Sequence, residues 1–337
     1  MSLLEELVGR RVVVRHLLPG QTGPSGGPAM SDVVGWVRDL DARAIRIERR
    51  DGSYASVPVQ DIVTAKAVPE GPQRRRTRPA HAIDAEDLTR ICTRGWPPVD
   101  TSYVGDWQLR AASGFTGRAN SVAVHGDPGV DDMTALQRVV AFYAARGLPA
   151  RAQVTVGSYG EGLFEGAGWA ALPDALGGAV VQVGDLGAAL RTARADADAA
   201  PAPDATVSIA EVVDDDWLAM YNRAGESDPV AARAVLEGPP TVAFVRATDP
   251  DGRLVAIGRA VATGEWAGLS CVEVEPSRRA QGLGRRVVEA SLEWVARTGA
   301  DKLYLQTIRD NHAALALYAP YGFTDHHDYR YLSPATP

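Results

Sequence analysis

Six consecutive residues, Arg279-Ala280-Gln281-Gly282-Leu283-Gly284, carry the sharpest chemical signal in the chain. They follow the strand-like run from Ser270 to Pro276 and precede an amphipathic stretch. In that stretch Leu283, Val287, Val288, Leu292, Val295 and Ala296 recur at helical spacing. Glycines let a backbone turn tightly and bring successive N–H groups towards an anion, and a helix amino end adds partial positive charge. Arg279, Arg285 and Arg286 stand where they would neutralise phosphate. A P-loop would end in Gly-Lys-Ser/Thr, and none follows Gly284. The dinucleotide fingerprint needs a third glycine where Arg286 and Val287 stand. The pattern points to a pyrophosphate-bearing ligand held by backbone without protein-bound magnesium, with a plain strand-to-helix turn as the alternative.

Other reactive residue types carry less. Cys271 has no local histidine partner and reads as a buried strand cysteine. His326-His327 lacks zinc-ligand spacing. Asp127, Asp131 and Asp132 lie in the run HGDPGVDDMTAL and read as helix caps before a metal loop. Trp96, Trp107 and Trp169 read as core aromatics, with a cleft lining as their functional alternative. His312 reads as structural.

The elements that position these residues fall into segments. With 337 residues, two or three domains are expected. Residues 1–69 hold five short strand patterns and a hairpin signal at Asp51-Gly52, which suggests a small all-β barrel. Pro69 to Ala80, with Arg74, Arg75, Arg76 and Arg78, reads as a linker, its core at 70–80. Residues 81–193 and 206–337 repeat one order of helices and strands across a second linker at 194–205. FYAARGLPARAQVTV is comparable with EWVARTGADKLYLQTI, and LFEGAGW with LYAPYGF, so Phe164 takes the place of Tyr318. The helical faces place Val139, Val140, Val287, Val288, Leu292, Val295 and Leu317 in the core.

Composition bounds the function class. Lys plus Arg number 35 against 42 Asp plus Glu, a net charge of -7, which argues against a generally basic nucleic-acid coat. Two cysteines cannot form a disulfide framework, and no apolar run reads as a signal peptide or membrane span. A cytoplasmic protein without membrane or nucleic-acid partners is expected, with oligomerisation left open.

The runs CVEVEPSRRAQGLGRRVVEASLEWV and DNHAALALYAPYGF together resemble the GCN5-related N-acetyltransferase (GNAT) family. The resemblance covers the last 130 residues and, as a degenerate copy, the preceding 115. It implies an α/β (α+β) GNAT fold of tandem mixed-sheet units. The barrel in front resembles the SH3-like domain of an actinobacterial acetyltransferase group. It further implies that Arg279, Ala280, Gln281, Gly282, Leu283 and Gly284 cradle the acetyl-CoA pyrophosphate, Arg285 adds charge, Asn311 contacts the cofactor arm, and Tyr318 lies near the thiol as its acid. The backbone of Val272 and Val274 would hold the pantetheine arm. Glu273 and Glu275 would share one strand face, and Glu273 is the first candidate base, with Glu265, Tyr221 or an acid from residues 81–193 as alternatives. The first unit replaces the cradle with Asp127, Asp131 and Asp132, so it reads as packing and acceptor-cleft material. The expected reaction is acetyl transfer from acetyl-CoA, without a metal, to a small-molecule amine or an exposed protein amine. A non-catalytic acyl-CoA sensor or adaptor is the alternative.

Overall fold

A computed structural model of the chain describes residues 4, 7–22, 26–41, 43–49, 54–68, 79–173, 177–199, 204–221 and 228–335. The chain divides into two compact units, Met1–Thr77 and Arg78–Pro337. In the first, alternating sequences form β1 (Arg11–Thr22), β2 (Pro28–Leu40), β3 (Ala44–Glu48), β4 (Tyr54–Pro58) and β5 (Ile62–Ala67). They pair antiparallel in the order β4-β3-β2-β1-β5. Val12, Val14, Val37, Ile45 and Ile47 are fully buried, because a period of two puts every second β-branched residue on one face. The expected all-β domain is present, but β4 and β5 do not pair, so the sheet is not a closed barrel. Its basic residues are partly neutralised. Arg15 grips the cross-strand Asp32 at 2.8 Å through two nitrogens, and Arg38 pairs with Glu48. The Asp51-Gly52 turn and the arginine run at 74–78 lie outside the described residues.

The second unit is built on a twelve-stranded sheet. Its strands are β6 (Asp100–Val104), β7 (Trp107–Ala111), β8 (Val122–Ala123), β9 (Ala152–Thr155), β10 (Trp169–Ala171) and β11 (Gly178–Asp185). There follow β12 (Thr206–Ala210), β13 (Val242–Thr248), β14 (Leu254–Thr263), β15 (Trp266–Val274), β16 (Lys302–Thr307) and β17 (Thr324–Pro334). The helices are α1 (Ala85–Arg94), α2 (Asp132–Ala144), α3 (Tyr159–Gly166) and α4 (Leu186–Ala199). They continue with α5 (Asp215–Met220), α6 (Pro229–Glu237), α7 (Leu283–Val295) and α8 (His312–Tyr318). Strand order is β12-β13-β14-β15-β16-β11-β17-β9-β8-β7-β6, with β10 pairing β17.

The repeat expected from sequence is visible in the pairing. An antiparallel neighbour, a parallel pair and an antiparallel strand recur as β7-β8-β9-β17 and as β14-β15-β16-β11. The fourth strand of each set comes from the other half of the chain. This exchange joins the two halves in one sheet. Residues 178–193, expected with the first half, pack into the second. Ala189 and Ala193 are buried against Val288, Leu292 and Val295 of α7. The expected linker is also helical as far as Ala199.

On α7 Leu283, Val287, Val288, Leu292 and Val295 are buried as expected, whereas Ala296, counted on the same face, is the exposed C-cap. Leu317 is partly buried. Val140 departs from expectation and stands 42% exposed. Helix α2 buries Ala135, Leu136, Val139, Phe142 and Tyr143 instead, a stripe rotated towards Phe142, whose ring lies 3.6 Å under the Arg146 guanidinium.

Candidate active site

Strand β15 is distorted where the chemistry is expected. Ile257 pairs with Glu273 and Arg259 with Ser270, so Cys271 and Val272 together oppose the single residue Gly258. This is a β-bulge, and Cys271 takes a left-handed φ of 56°, an arrangement that costs a non-glycine residue about 1–2 kcal/mol. On its other side β15 runs parallel to β16 from Trp266–Lys302 only as far as Leu269–Leu305. Beyond that point the strands part, and a cavity of about 220 Å³ opens between residues 269–273 and 305–308. Past Leu269, β15 has no strand partner on the β16 side. An extended ligand carrying amides could satisfy the backbone polar groups left there. The Val272 and Val274 side chains pack beneath α7, so backbone is what these two residues can offer a ligand.

The glycine turn lies just beyond. Ala280 and Gly282 are both left-handed, with φ of 59° and 82°. Gly282 is the N-cap of α7 and supplies no side-chain cap, which leaves the first N–H groups of the helix available to an anion. Side chains brace the turn. Arg279 Nε donates to the Val274 carbonyl at 3.3 Å, and Arg278 Nε to Gln281 Oε1 at 3.0 Å. Arg285 differs from expectation in being partly engaged. It and Arg286 lie 3.7 and 3.4 Å from the buried Glu289 carboxylate, which also accepts from Tyr321.

Tyr318 ends α8 at the cavity, 5% exposed, with its ring edge-on to Phe323 at 5.5 Å. None of the described hydrogen bonds uses its hydroxyl. Burial pushes its pKa well above the ordinary phenol value, so it remains a proton-bearing donor at neutral pH. Asn311 lines the cavity and caps α8, its Oδ1 accepting from the Ala314 N–H at 3.0 Å. Glu273 lines the same cavity.

Comparison with known proteins fits this geometry. The family model described as "Probable histone acetyltransferase Rv0428c C-terminal" matches residues 84–157 and 165–332. The chain belongs to the GNAT acetyltransferases. A second model, the Rv0428c N-terminal Sm-like domain, matches residues 7–66, so the small β domain is Sm-like where an SH3-like one was expected. "Probable histone acetyltransferase Rv0428c" of Mycobacterium tuberculosis is 29% identical over 332 residues, 96% of this chain and 95% of that protein. An uncharacterized N-acetyltransferase, YobR of Bacillus subtilis, is 27% identical over 73% of this chain and 98% of its own length. A solved GCN5-related N-acetyltransferase from Kribbella flavida shares the fold at TM-score 0.56 and 17% identity, covering 75% of this chain and 96% of that one. A tandem GNAT protein from the clavulanic acid biosynthesis pathway does so at TM-score 0.53 and 14% identity, covering 74% and 89%.

The GNAT cavity gathers Val272, Glu273, Asn311 and Tyr318 from the expected set, and leaves other candidates elsewhere. Glu265 sits in the β14–β15 hairpin, at the opposite end of β15 from the bulge, where its carboxylate accepts from Lys302 Nζ at 2.9 Å. Glu275 pairs with Arg253 at 3.6 Å. Tyr221 does line the cavity. An acid from residues 81–193, one of the alternatives, does not line the cavity among the described residues. Among the described residues that half contributes Arg118 and Arg151, while Asp131 caps α2 and Asp127 accepts from the Gly129 N–H within its own turn. Cys271 reaches the cavity wall instead of being fully buried, and burial raises its thiol pKa, which disfavours a nucleophilic thiolate. His326 is held by the Ile83 carbonyl at 3.0 Å, and among the described residues no group of three acidic, histidine or cysteine side chains is placed to hold a metal. Trp107 and Trp169 pack around Phe164 as core. Trp96 is buried too, but its upper face carries Arg118. Sequence reasoning missed Arg118, Tyr329 and Tyr331 as cavity residues. The alternation of Tyr329 and Tyr331 along one strand was the available signal, whereas Arg118 sits in an irregular loop with none.

Among the described residues no helix is long and apolar enough to cross a membrane.

Proposed function

We propose that this GNAT enzyme moves the acetyl group of acetyl-CoA to a primary amine by direct attack in a ternary complex. The observation that carries the reading is the opening of β15 from β16 beside a left-handed glycine turn, with Tyr318 lining the opening. Residues Arg279 to Gly284 would hold pyrophosphate by backbone N–H groups, and the Cys271–Val274 backbone would align the pantetheine amides. Glu273, directly or through water, takes a proton from the attacking amine, and Tyr318 gives one to the departing sulfur. One C–N bond forms, one C–S bond breaks, and the products are the amide and the CoA thiol. Similarity to the probable histone acetyltransferase of Mycobacterium tuberculosis makes a protein lysine one acceptor to test, beside small amines. A mass-spectrometric screen of amines and peptides with acetyl-CoA tests the reading. An acceptor that gains one acetyl mass, only with enzyme present, supports it. Saturable CoA binding with no acylated product across the panel would instead establish the sensor reading.

A further inference from the structure

We infer that the cavity holds a carboxylate-binding subsite built on Arg118, so that one reactant of the acyl transfer carries a carboxylate group. The identity of the reactants rests on the function proposed above, whereas the subsite rests on the side chains alone. Arg118 lies in the short turn Gly117–Ala119, and the loop around it is tied down. Asn120 Oδ1 accepts from the Ala112 and Gly114 N–H groups at 2.8 and 3.0 Å, and its Nδ2 donates to the Phe115 and Thr116 carbonyls at 2.8 and 3.0 Å. Ser121 Oγ donates to the Gly117 carbonyl at 2.7 Å. Thr116, a β-branched residue, is held at φ 57°, and its hydroxyl accepts from Trp96 Nε1 at 2.9 Å.

The guanidinium itself is placed by that same tryptophan. Its carbon lies 4.2 Å from the Trp96 ring centroid, which fixes the plane of the fork but satisfies none of its N–H donors. Among the described residues Arg118 makes no hydrogen bond and no ion pair. Two buried arginines nearby, Arg259 and Arg110, behave differently. Arg259 donates to the carbonyls of Leu236 and Gly95 at 2.9 and 3.0 Å. Arg110 donates to Ser121 and Gln153 at 2.7–2.8 Å. Their donors are taken by neutral oxygens, whereas those of Arg118 are not.

Within the cavity one carboxylate, Glu273, is among the described lining, and Arg118 makes no ion pair with it. The charged side chains among the cavity's described lining are Arg118, Arg151 and Glu273. Around Arg118 stand the phenols Tyr221, Tyr329 and Tyr331, which carry no charge at neutral pH. A pre-set guanidinium fork with spare donors, ringed by phenols and in no ion pair among the described residues, matches the two oxygens of a carboxylate. That chemistry has two sources here, an amine acceptor of amino-acid type or a dicarboxylic acyl chain borne by CoA.

The test uses the full chain, wild type and Arg118→Gln, with reactants paired so that they differ in the carboxylate. One arm offers acetyl-CoA with amino acids and with their carboxamides. The other offers succinyl-CoA and acetyl-CoA with a neutral amine. The subsite predicts that wild type prefers the carboxylate-bearing member of one pair by about 100-fold or more in kcat/KM. The arm that shows the preference names the source, and the ratio falls below about tenfold in Arg118→Gln. A thermal-shift titration with succinate gives a readout independent of turnover. Succinate should raise the Tm of wild type and leave that of Arg118→Gln unmoved, while CoA binding by the variant confirms its fold. Wild-type ratios within threefold in both arms, with acetyl transfer proceeding, would overturn the subsite and leave the acetyltransferase reading standing. Should no acyl transfer occur at all, the succinate shift decides the subsite alone, and its absence would overturn it.

Discussion

Single residues of the turn make separable contributions. A Cβ added at Gly282 would meet nothing nearer than Arg285 Nη2 at 3.8 Å, so Gly282→Ala acts through its φ of 82°, a strain of about 1–2 kcal/mol. At Gly284 an added Cβ would make ordinary contacts of 3.6 Å with Leu317 and Val274. Gly284→Ala should therefore keep the Tm of wild type, and any loss of CoA affinity measured by calorimetry reports the approach of the ligand itself. Gly282→Ala should lose both. Glu273→Gln removes the proposed base and should lower kcat/KM on the order of 100-fold, with the acidic limb of the pH–rate profile abolished. A profile unchanged in shape would remove Glu273 from the chemistry. Because burial raises the Tyr318 pKa, the phenol stays protonated up to at least its ordinary value, so no loss of rate below about pH 10 should trace to it.

At the level of elements, the seat of α7 depends on one residue that spacing alone did not single out. Gly258 on β14 faces the bulge of β15 and α7 together, and a Cβ there would come within 2.3 Å of Val287 Cγ1. Gly258→Ala should lower the Tm by several degrees and weaken CoA binding with it, since the helix whose amino end forms the cradle must shift. Binding at wild-type strength in that variant would show that the position of α7 does not govern the cradle. Most of what α7 and β15 do was legible in the sequence, because a glycine turn between an apolar strand and a one-sided helix specifies strand, turn and helix at once. The bulge was not legible, as Cys271 belongs to a type that rarely takes positive φ and only its pairing with β14 reveals the extra residue. Nor was the exchange of β11 and β17 between the halves. Hydrophobic patterning marks a strand as buried but does not say which neighbour it pairs with, and Gly178–Asp185 is too uniformly apolar to choose. Arg118 escaped for a related reason: a loop side chain acquires its role from the distant residues that surround it.

The second unit as a whole carries a pH sensitivity set by two imidazoles, the buried His125 and the half-buried His327. Burial holds His125 and His327 at a pKa of about 4, and both ring nitrogens of His125 lack a hydrogen-bond partner. The unfolded chain would protonate each near 6.5, so it takes up protons first as the pH falls. Stability present above about pH 6.5 is then lost progressively towards pH 4, by at most about 3 kcal/mol for each ring. Denaturation midpoints measured between pH 7 and 4.5 should fall accordingly, and His125→Asn should flatten the slope; an equal slope in that variant would acquit the ring. The proposed acetyl transfer depends on the Tyr318 phenol. Single-turnover acetyl transfer, followed at saturating acetyl-CoA in wild type and Tyr318→Phe, tests that dependence. CoA affinity should be retained while the chemical step slows on the order of 100-fold. Equal single-turnover rates for the two proteins would contradict that dependence.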